Sequence, residues 1–277
     1  GDFVTRRYVS QGKEMNTGTY SDHRVIVRDG MPIRDHFQLD VHGFTIGKNP
    51  TAVKDFHDKE EVNRLYEAEV AADVKRRTGA SRVVTRGWMI RTSADLTQHA
   101  QQKVENYQHS GGIQPPAGEA HIDLNVATGR MMAKGTYEKE FPEGPGYRRY
   151  LVGSYWRTFS PPPQDVPLAL CDGRTSFGGE EKSNTLFIVD EFPDAEKAVA
   201  PVEGEENMIA AKIPSYDPAH RWWYFSNMER DDILLFKFQD SDHSVTWRCP
   251  HTAFFDGSIP DANIRESIEC RWVAFWE

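Results

Sequence analysis

The run Arg265–Phe275, RESIECRWVAF, decides the fold class. Side chains alternate between the two faces of an extended chain, so Arg265, Ser267, Glu269, Arg271, Val273 and Phe275 share one face of a strand. Working back from it, Tyr147–Thr158, Asp231–Phe238 and Ser244–Arg248 are further strand-like runs. From Ala117 onward such runs alternate with Gly, Pro, Asp and Asn, the pattern of a β-sandwich or barrel. Upstream, Val62, Leu65, Tyr66, Val70 and Val74 fall on one 3.6-residue face and predict a helix from about Asp58 to Arg77, with Lys75, Arg76 and Arg77 at its negative end and Gly79 as its stop. The β-branched and aromatic stretch SRVVTRGWMIR (Ser81–Arg91) predicts a strand entering the core. Gln98–Gly118 and Asp190–Asn207 read as long polar loops. The expected architecture is a single mainly β domain with flanking helices, residues 1–95 forming a helical flank with supporting strands and residues 117–277 the β core.

Composition limits the function classes. Seven Trp, ten Tyr and fifteen Phe in 277 residues supply a real core. A net charge of -9 with no block of Lys or Arg argues against a nucleic-acid partner. No apolar run is long enough to span a bilayer, so no membrane partner is expected. Cys171, Cys249 and Cys270 are odd in number and show no C-x-x-C spacing, which suits a reducing, cytoplasmic compartment. The expected partner is a small-molecule substrate, with the chain a monomer or homodimer.

The chemistry lies in His121-Ile122-Asp123. In an extended segment positions i and i+2 face the same way, so both side chains can grip one metal ion, although an H-x-D triplet alone is a weak signal. A second histidine is needed. His251 follows a strand-like run about 130 residues on, and His220, ahead of Arg221-Trp222-Trp223-Tyr224-Phe225, is its rival. Two His and one carboxylate form a facial triad that leaves positions open on iron(II). Fourteen residues after His251, Arg265 and Ser267 offer a planar fork and a hydroxyl to a carboxylate such as 2-oxoglutarate. Arg271 is an alternative co-substrate anchor on the same face, for which an ion pair with Glu269 is the favoured reading. Two other readings stand beside an iron oxygenase: a zinc-loaded hydrolase, for which an Arg-x-Ser carboxylate anchor has no use, and a catalytically silent metal-binding module.

Several segments resemble the hydroxylase/desaturase family that includes the fungal AsaB-like proteins, gibberellin desaturases and the bacterial CmcJ proteins. They are LDVHGF (Leu39–Phe44), Tyr66–Val84 with YEAEV and TGASRVV, HIDLN (His121–Asn125), YWRTFSPPPQDVPLALCDGRT (Tyr155–Thr175), HRWWYFSNMERDDILLFKFQDS (His220–Ser241), PHTAFFD (Pro250–Asp256) and RESIECR (Arg265–Arg271), in family order over most of the chain. The resemblance implies a double-stranded β-helix (jelly-roll, cupin-like) core, an Fe(II) centre using 2-oxoglutarate and O2, and oxidative tailoring of a secondary metabolite by hydroxylation, desaturation or ring formation. It maps the metal ligands onto His121, Asp123 and His251. Arg157, Arg174, Arg221 and Trp222 lie in the shared segments and are candidate substrate contacts. Leu124 and Asn125 follow the H-x-D where family members commonly carry H-x-D-Q or H-x-D-x-S, a departure on the substrate side that makes Asn125 a further candidate.

Overall fold

The computed structural model describes residues 4–10, 13–94, 111–177 and 181–277. The largest sheet has six strands in the order β4 (Phe44–Lys48), β12 (Asp232–Asp240), β7 (Arg149–Thr158), β14 (Glu266–Trp276), β5 (Arg82–Thr92) and β6 (Gly112–Gln114). Its pairings are antiparallel except β5 with β6. A second sheet runs β13 (His251–Ala253), β8 (Leu168–Cys171), β11 (Trp222–Tyr224), β3 (Val27–Asp29). A third runs β10 (Ala210–Pro214), β9 (Glu181–Ile188), β1 (Val4–Ser10), β2 (Lys13–Asn16). The chain is mainly β with few helices.

The alternation expected of β14 divides the interior in two. Its even-numbered residues Ile268, Cys270, Trp272 and Ala274 pack with Leu151 and Tyr155 of β7 against Val62, Tyr66, Val70 and Val74. Those four are the buried stripe of the helix Lys59–Thr78. Its odd-numbered Val273 and Phe275 join Val152, Trp156, Phe236 and Phe238 in a second core on the other face, together with Leu168 and Leu170 of β8. The helix starts and stops where its local chemistry demands: the Asp58 carboxylate accepts the N–H groups of Glu60 and Glu61, and Gly79 closes it at φ 69°. Gly87, at φ 85°, sits where β5 shifts register against β14.

The structure departs from the sequence reading in four places. Ser244–Arg248 is turn and coil, not a strand. A helix not anticipated covers Val126–Glu140, and it buries Thr128, Gly129, Ala133, Thr136 and Tyr137 instead of an aliphatic stripe, which is why no apolar period announces it. Asp190–Asn207 is not bare loop: it contains a helix at Ala195–Val199, and the Arg6 guanidinium ties it down through Glu205 at 2.6 Å and the Ala200 carbonyl at 2.6 Å. Within Gln98–Gly118, residues 112–114 form β6, and residues 98–110 lie outside the described residues.

Gly153 in β7 faces Lys237 of β12 on one side and Trp272 of β14 on the other. A Cβ there would lie 2.6 Å from the Phe236 carbonyl oxygen and 2.7 Å from Trp272 Cζ2. Gly153→Ala is therefore expected to cost about 1–3 kcal/mol through overpacking, read as a lower urea midpoint at unchanged m-value; a midpoint within error of the wild type would contradict this packing.

Candidate metal centre

The H-x-D segment is not part of a long strand but a strap stitched between two sheets. His121 and His251 exchange both backbone hydrogen bonds, His121 N–H to the His251 carbonyl at 3.0 Å and the reverse at 2.9 Å. Ile122 does the same with Lys212 of β10, at 2.8 and 2.9 Å. Ile122 itself is buried, so His121 and Asp123 on either side of it are held to the opposite face.

Nitrogens of His121 and His251 and a carboxylate oxygen of Asp123 all lie within 4.8 Å of one another. Asp123 Oδ1 stands 3.4 Å from His121 Nε2 and 3.2 Å from His251 Nε2. The other ring nitrogens are committed elsewhere. His121 Nδ1–H donates to the Glu119 carbonyl at 2.8 Å and His251 Nδ1–H to the Cys249 carbonyl at 3.1 Å. A carbonyl only accepts, so each bond places the proton on Nδ1 and leaves the Nε2 lone pair for a ligand. His251 is further fixed between Phe236 and Phe238, ring centroids at 4.7 and 5.8 Å.

The local charges suit a cation. Burial disfavours the Asp123 charge, but Arg271 and the two imidazoles outweigh it and hold the carboxyl well below its usual range. Burial lowers His121, yet the hydrogen bond and charge of Asp123 outweigh that and raise it. His251 is lowered, by burial and by the facing His121.

Comparison with known proteins agrees with this centre. Residues 3–275 match the family model described as an oxidoreductase/YMDC permease-like domain. The hydroxylase/desaturase CTB9 of Cercospora beticola is 31% identical over 93% of this chain and 78% of its own length. The Fe(II)/2-oxoglutarate-dependent dioxygenase nvfI of Aspergillus novofumigatus is 28% identical over 95% of this chain and 87% of its own. The solved structure of the iron and alpha-ketoglutarate-dependent endoperoxidase NvfI superposes with a TM-score of 0.77 at 25% identity, covering 99% of this chain and 94% of that one. The chain belongs to this hydroxylase/desaturase family of Fe(II)/2-oxoglutarate-dependent oxygenases. Its cofactors are accordingly Fe(II), 2-oxoglutarate and O2.

The oxygenase surrounds the triad with two cavities that meet at Arg91, Ala117 and His121. The smaller, about 20 Å³, is lined by His121, His251, Trp156, Arg265 and Glu269. The larger, about 660 Å³, takes in His121, Asp123, Arg271 and an apolar wall that includes Met89, Leu124, Met132, Val152, Leu186 and Phe238. Arg265 is 1% exposed, and neither its Nε nor its Nη2 has a hydrogen-bond partner. Burial, then repulsion from Arg91, push this guanidinium down to about 9. A buried guanidinium with open donors beside a cavity can accept a carboxylate in a bidentate pair. The residues present thus fit both the ion and a dicarboxylate. Ser267 is buried on the same face, its hydroxyl reaching the Arg91 carbonyl at a long 3.4 Å.

Arg271 sits on Asp123 Oδ2 at 2.6 Å, with Glu269 at 3.5 Å as its second neighbour, so the expected Arg271–Glu269 pair is the weaker half of what forms. The remaining candidates do not line either cavity. Asn125 caps the helix Val126–Glu140 by accepting the Thr128 N–H at 2.8 Å. Arg157 is on the helix-facing side of β7, bonded to the Tyr66 hydroxyl at 3.2 Å. Arg174 pairs with Asp172 at 2.6 Å, Arg221 is exposed, and Trp222 packs on Cys171 and Ala169. His220 stands edge-on to Trp222 and is not in the triad. Arg91 and Trp156 escaped the sequence reading. Their signal is cross-strand register, Arg91 lying opposite Ser267 and Trp156 opposite Glu269.

His251→Ala or Asp123→Ala should weaken Mn(II) binding at least about 100-fold, since each removes one of three protein ligands, whereas His220→Ala should leave it unchanged. Isothermal titration of the three variants checks this, and a loss in His220→Ala would show the triad misassigned.

Proposed function

We propose that the oxygenase holds iron through His121 Nε2, Asp123 Oδ1 and His251 Nε2, anchors the distal carboxylate of 2-oxoglutarate on Arg265 with help from Ser267, and oxidises a small secondary-metabolite intermediate in the larger cavity. The partly confined arrangement is read as one domain with a double-stranded β-helix core, supported by the facing six- and four-stranded sheets around the inner cluster. Three free buried thiols support a cytoplasmic setting.

The observation that carries the reading is the orphaned Arg265. An Arg fork in a dry chamber gains charge-assisted, bidentate bonds to a carboxylate that water cannot match there. The chamber opens on His121 and His251, so an anion seated on Arg265 has its far end towards the metal ligands. Bound there, iron(II) would use O2 as the oxidant, 2-oxoglutarate supplying two of the electrons as it is converted to succinate and carbon dioxide. The protein's own contribution is placement. Trp156 beneath Arg265, with the guanidinium carbon 5.7 Å from the ring centre, and the apolar groups around His251 keep the chamber short of water. The opposite, larger cavity presents Asp123 and an apolar wall to the second substrate, and its size is that of sites for drug-sized ligands. How that substrate's reacting carbon is held decides between hydroxylation, desaturation and ring formation. A zinc hydrolase or a silent module has no use for an unpartnered buried Arg265.

Two measurements test this. Anaerobic addition of iron(II) and 2-oxoglutarate should give the weak visible charge-transfer band in the wild type. Arg265→Met should raise the Kd for 2-oxoglutarate about 10–100-fold, the worth of hydrogen bonds to a charged group. The same variant should leave the metal-free protein as stable as the wild type or more so, because it removes an uncompensated buried cation. An undiminished band together with a destabilised fold would make Arg265 structural.

A further inference from the structure

We propose that Arg271 is a positioning residue for the metal-binding carboxylate, holding Oδ2 of Asp123 so that Oδ1 alone is presented to the ion. The inference rests on the reading of His121, Asp123 and His251 as the metal ligands. Arg271 Nη2 lies 2.6 Å from Oδ2, a short charge-assisted bond, while Oδ1 is the oxygen near both Nε2 atoms, at 3.4 and 3.2 Å. A carboxylate left to rotate can offer a cation one oxygen or two. With Oδ2 occupied, Asp123 offers one, and fewer positions on the ion are consumed by protein.

Arg271 is itself held. Glu269, two residues back on the same face of β14, lies 3.5 Å from its Nε, and Arg91 lies 3.6 Å from the other Glu269 oxygen. Ser154 donates to Glu269 at 3.3 Å. The result is a row of alternating charge, Arg91, Glu269, Arg271, Asp123, that joins the small cavity to the large one.

A fixed cation beside a metal site also repels the metal, so orientation and repulsion predict opposite outcomes when it is removed. Glu269 offsets much of the Arg271 charge, and the oxygen that Arg271 restrains is directly bonded to it. Orientation is therefore the larger effect, and loss of Arg271 weakens the site.

The test is Mn(II) titration, an air-stable stand-in for Fe(II), on the full chain, with urea unfolding of each metal-free protein as the folding control. Arg271→Met should weaken Mn(II) binding about 10–100-fold, the range for partners that orient a ligand. Arg271→Lys, a single point donor in place of a fork, should recover part of that loss. Glu269→Gln should weaken binding by less than Arg271→Met. Mn(II) affinity in Arg271→Met equal to or tighter than wild type would overturn the proposal and leave Arg271 as a charge only. If Arg271→Met loses its cooperative unfolding, Arg271→Lys decides on the same criterion, an undiminished affinity overturning the proposal. A wild-type chain that takes no Mn(II) overturns both this inference and the metal reading beneath it.

Discussion

Strand β14 alternates strictly, and almost everything else in the molecule is referred to that alternation. Its outward set, Ile268, Cys270, Trp272 and Ala274, is the surface on which the helix Lys59–Thr78 lies. Its inward set begins with Arg265, Ser267, Glu269 and Arg271 around the metal centre and ends with Val273 and Phe275 in the inner core. Because the period is two, a slip of one residue against β7 or β5 would put two arginines against the helix and turn Ile268 and Trp272 towards the cavity. Pairing with β7 and β5 on both sides makes such a slip costly along the whole strand. The same constraint that builds the core therefore sets the order of charges in the site.

Legibility in the sequence follows from this. The strands with a clear alternation and the helix with a clear 3.6-residue stripe are readable because each buries one uniform face. The helix Val126–Glu140 is not, since Gly129 is there to let Gln239 approach: a Cβ at that position would lie only 2.6 Å from Gln239 Cγ. Ser244–Arg248 has β-prone residues, but Thr246 spends its hydroxyl on the Val41 carbonyl and its N–H on Asp40, and no strand partner remains. For the site, the H-x-D pair and the Arg-x-Ser face are local patterns at short spacing, whereas His251, about 130 residues on, is separated from His220 only by the family resemblance. Arg91 and Trp156 reach the chamber only through pairing register, and that information is tertiary. Arg157 shows the reverse failure: it lies in a distinctive segment, yet its parity in β7, shared with Leu151 and Tyr155, points it at Tyr66 and the helix.

The distribution of charge compensation separates scaffold from site. Away from the centre, the buried Lys237 is matched by Asp40 at 2.6 Å and Asp240 at 2.8 Å. Around the triad, Glu269 and Asp123 are matched by Arg91 and Arg271, and Arg265 stands out by contrast. Arg157, also fully buried, is held by the Tyr66 hydroxyl and the Arg230 carbonyl, whereas two donor atoms of Arg265 have no partner while its side chain lines the chamber beside His121 and His251.

The cysteines acquire a meaning from where they sit. An enzyme that activates oxygen generates its own most damaging reagent, and thiols are among the first groups to suffer because the thiolate is the form that oxidises. Cys249 is two residues from His251 and its carbonyl accepts from that ring, so distance does not protect it. Protection comes from protonation: burial pushes the Cys171 thiol up to about 12 and the Cys249 and Cys270 thiols well above the ordinary range. Dry packing thus keeps all three thiols in the protonated form, the one least open to oxidation.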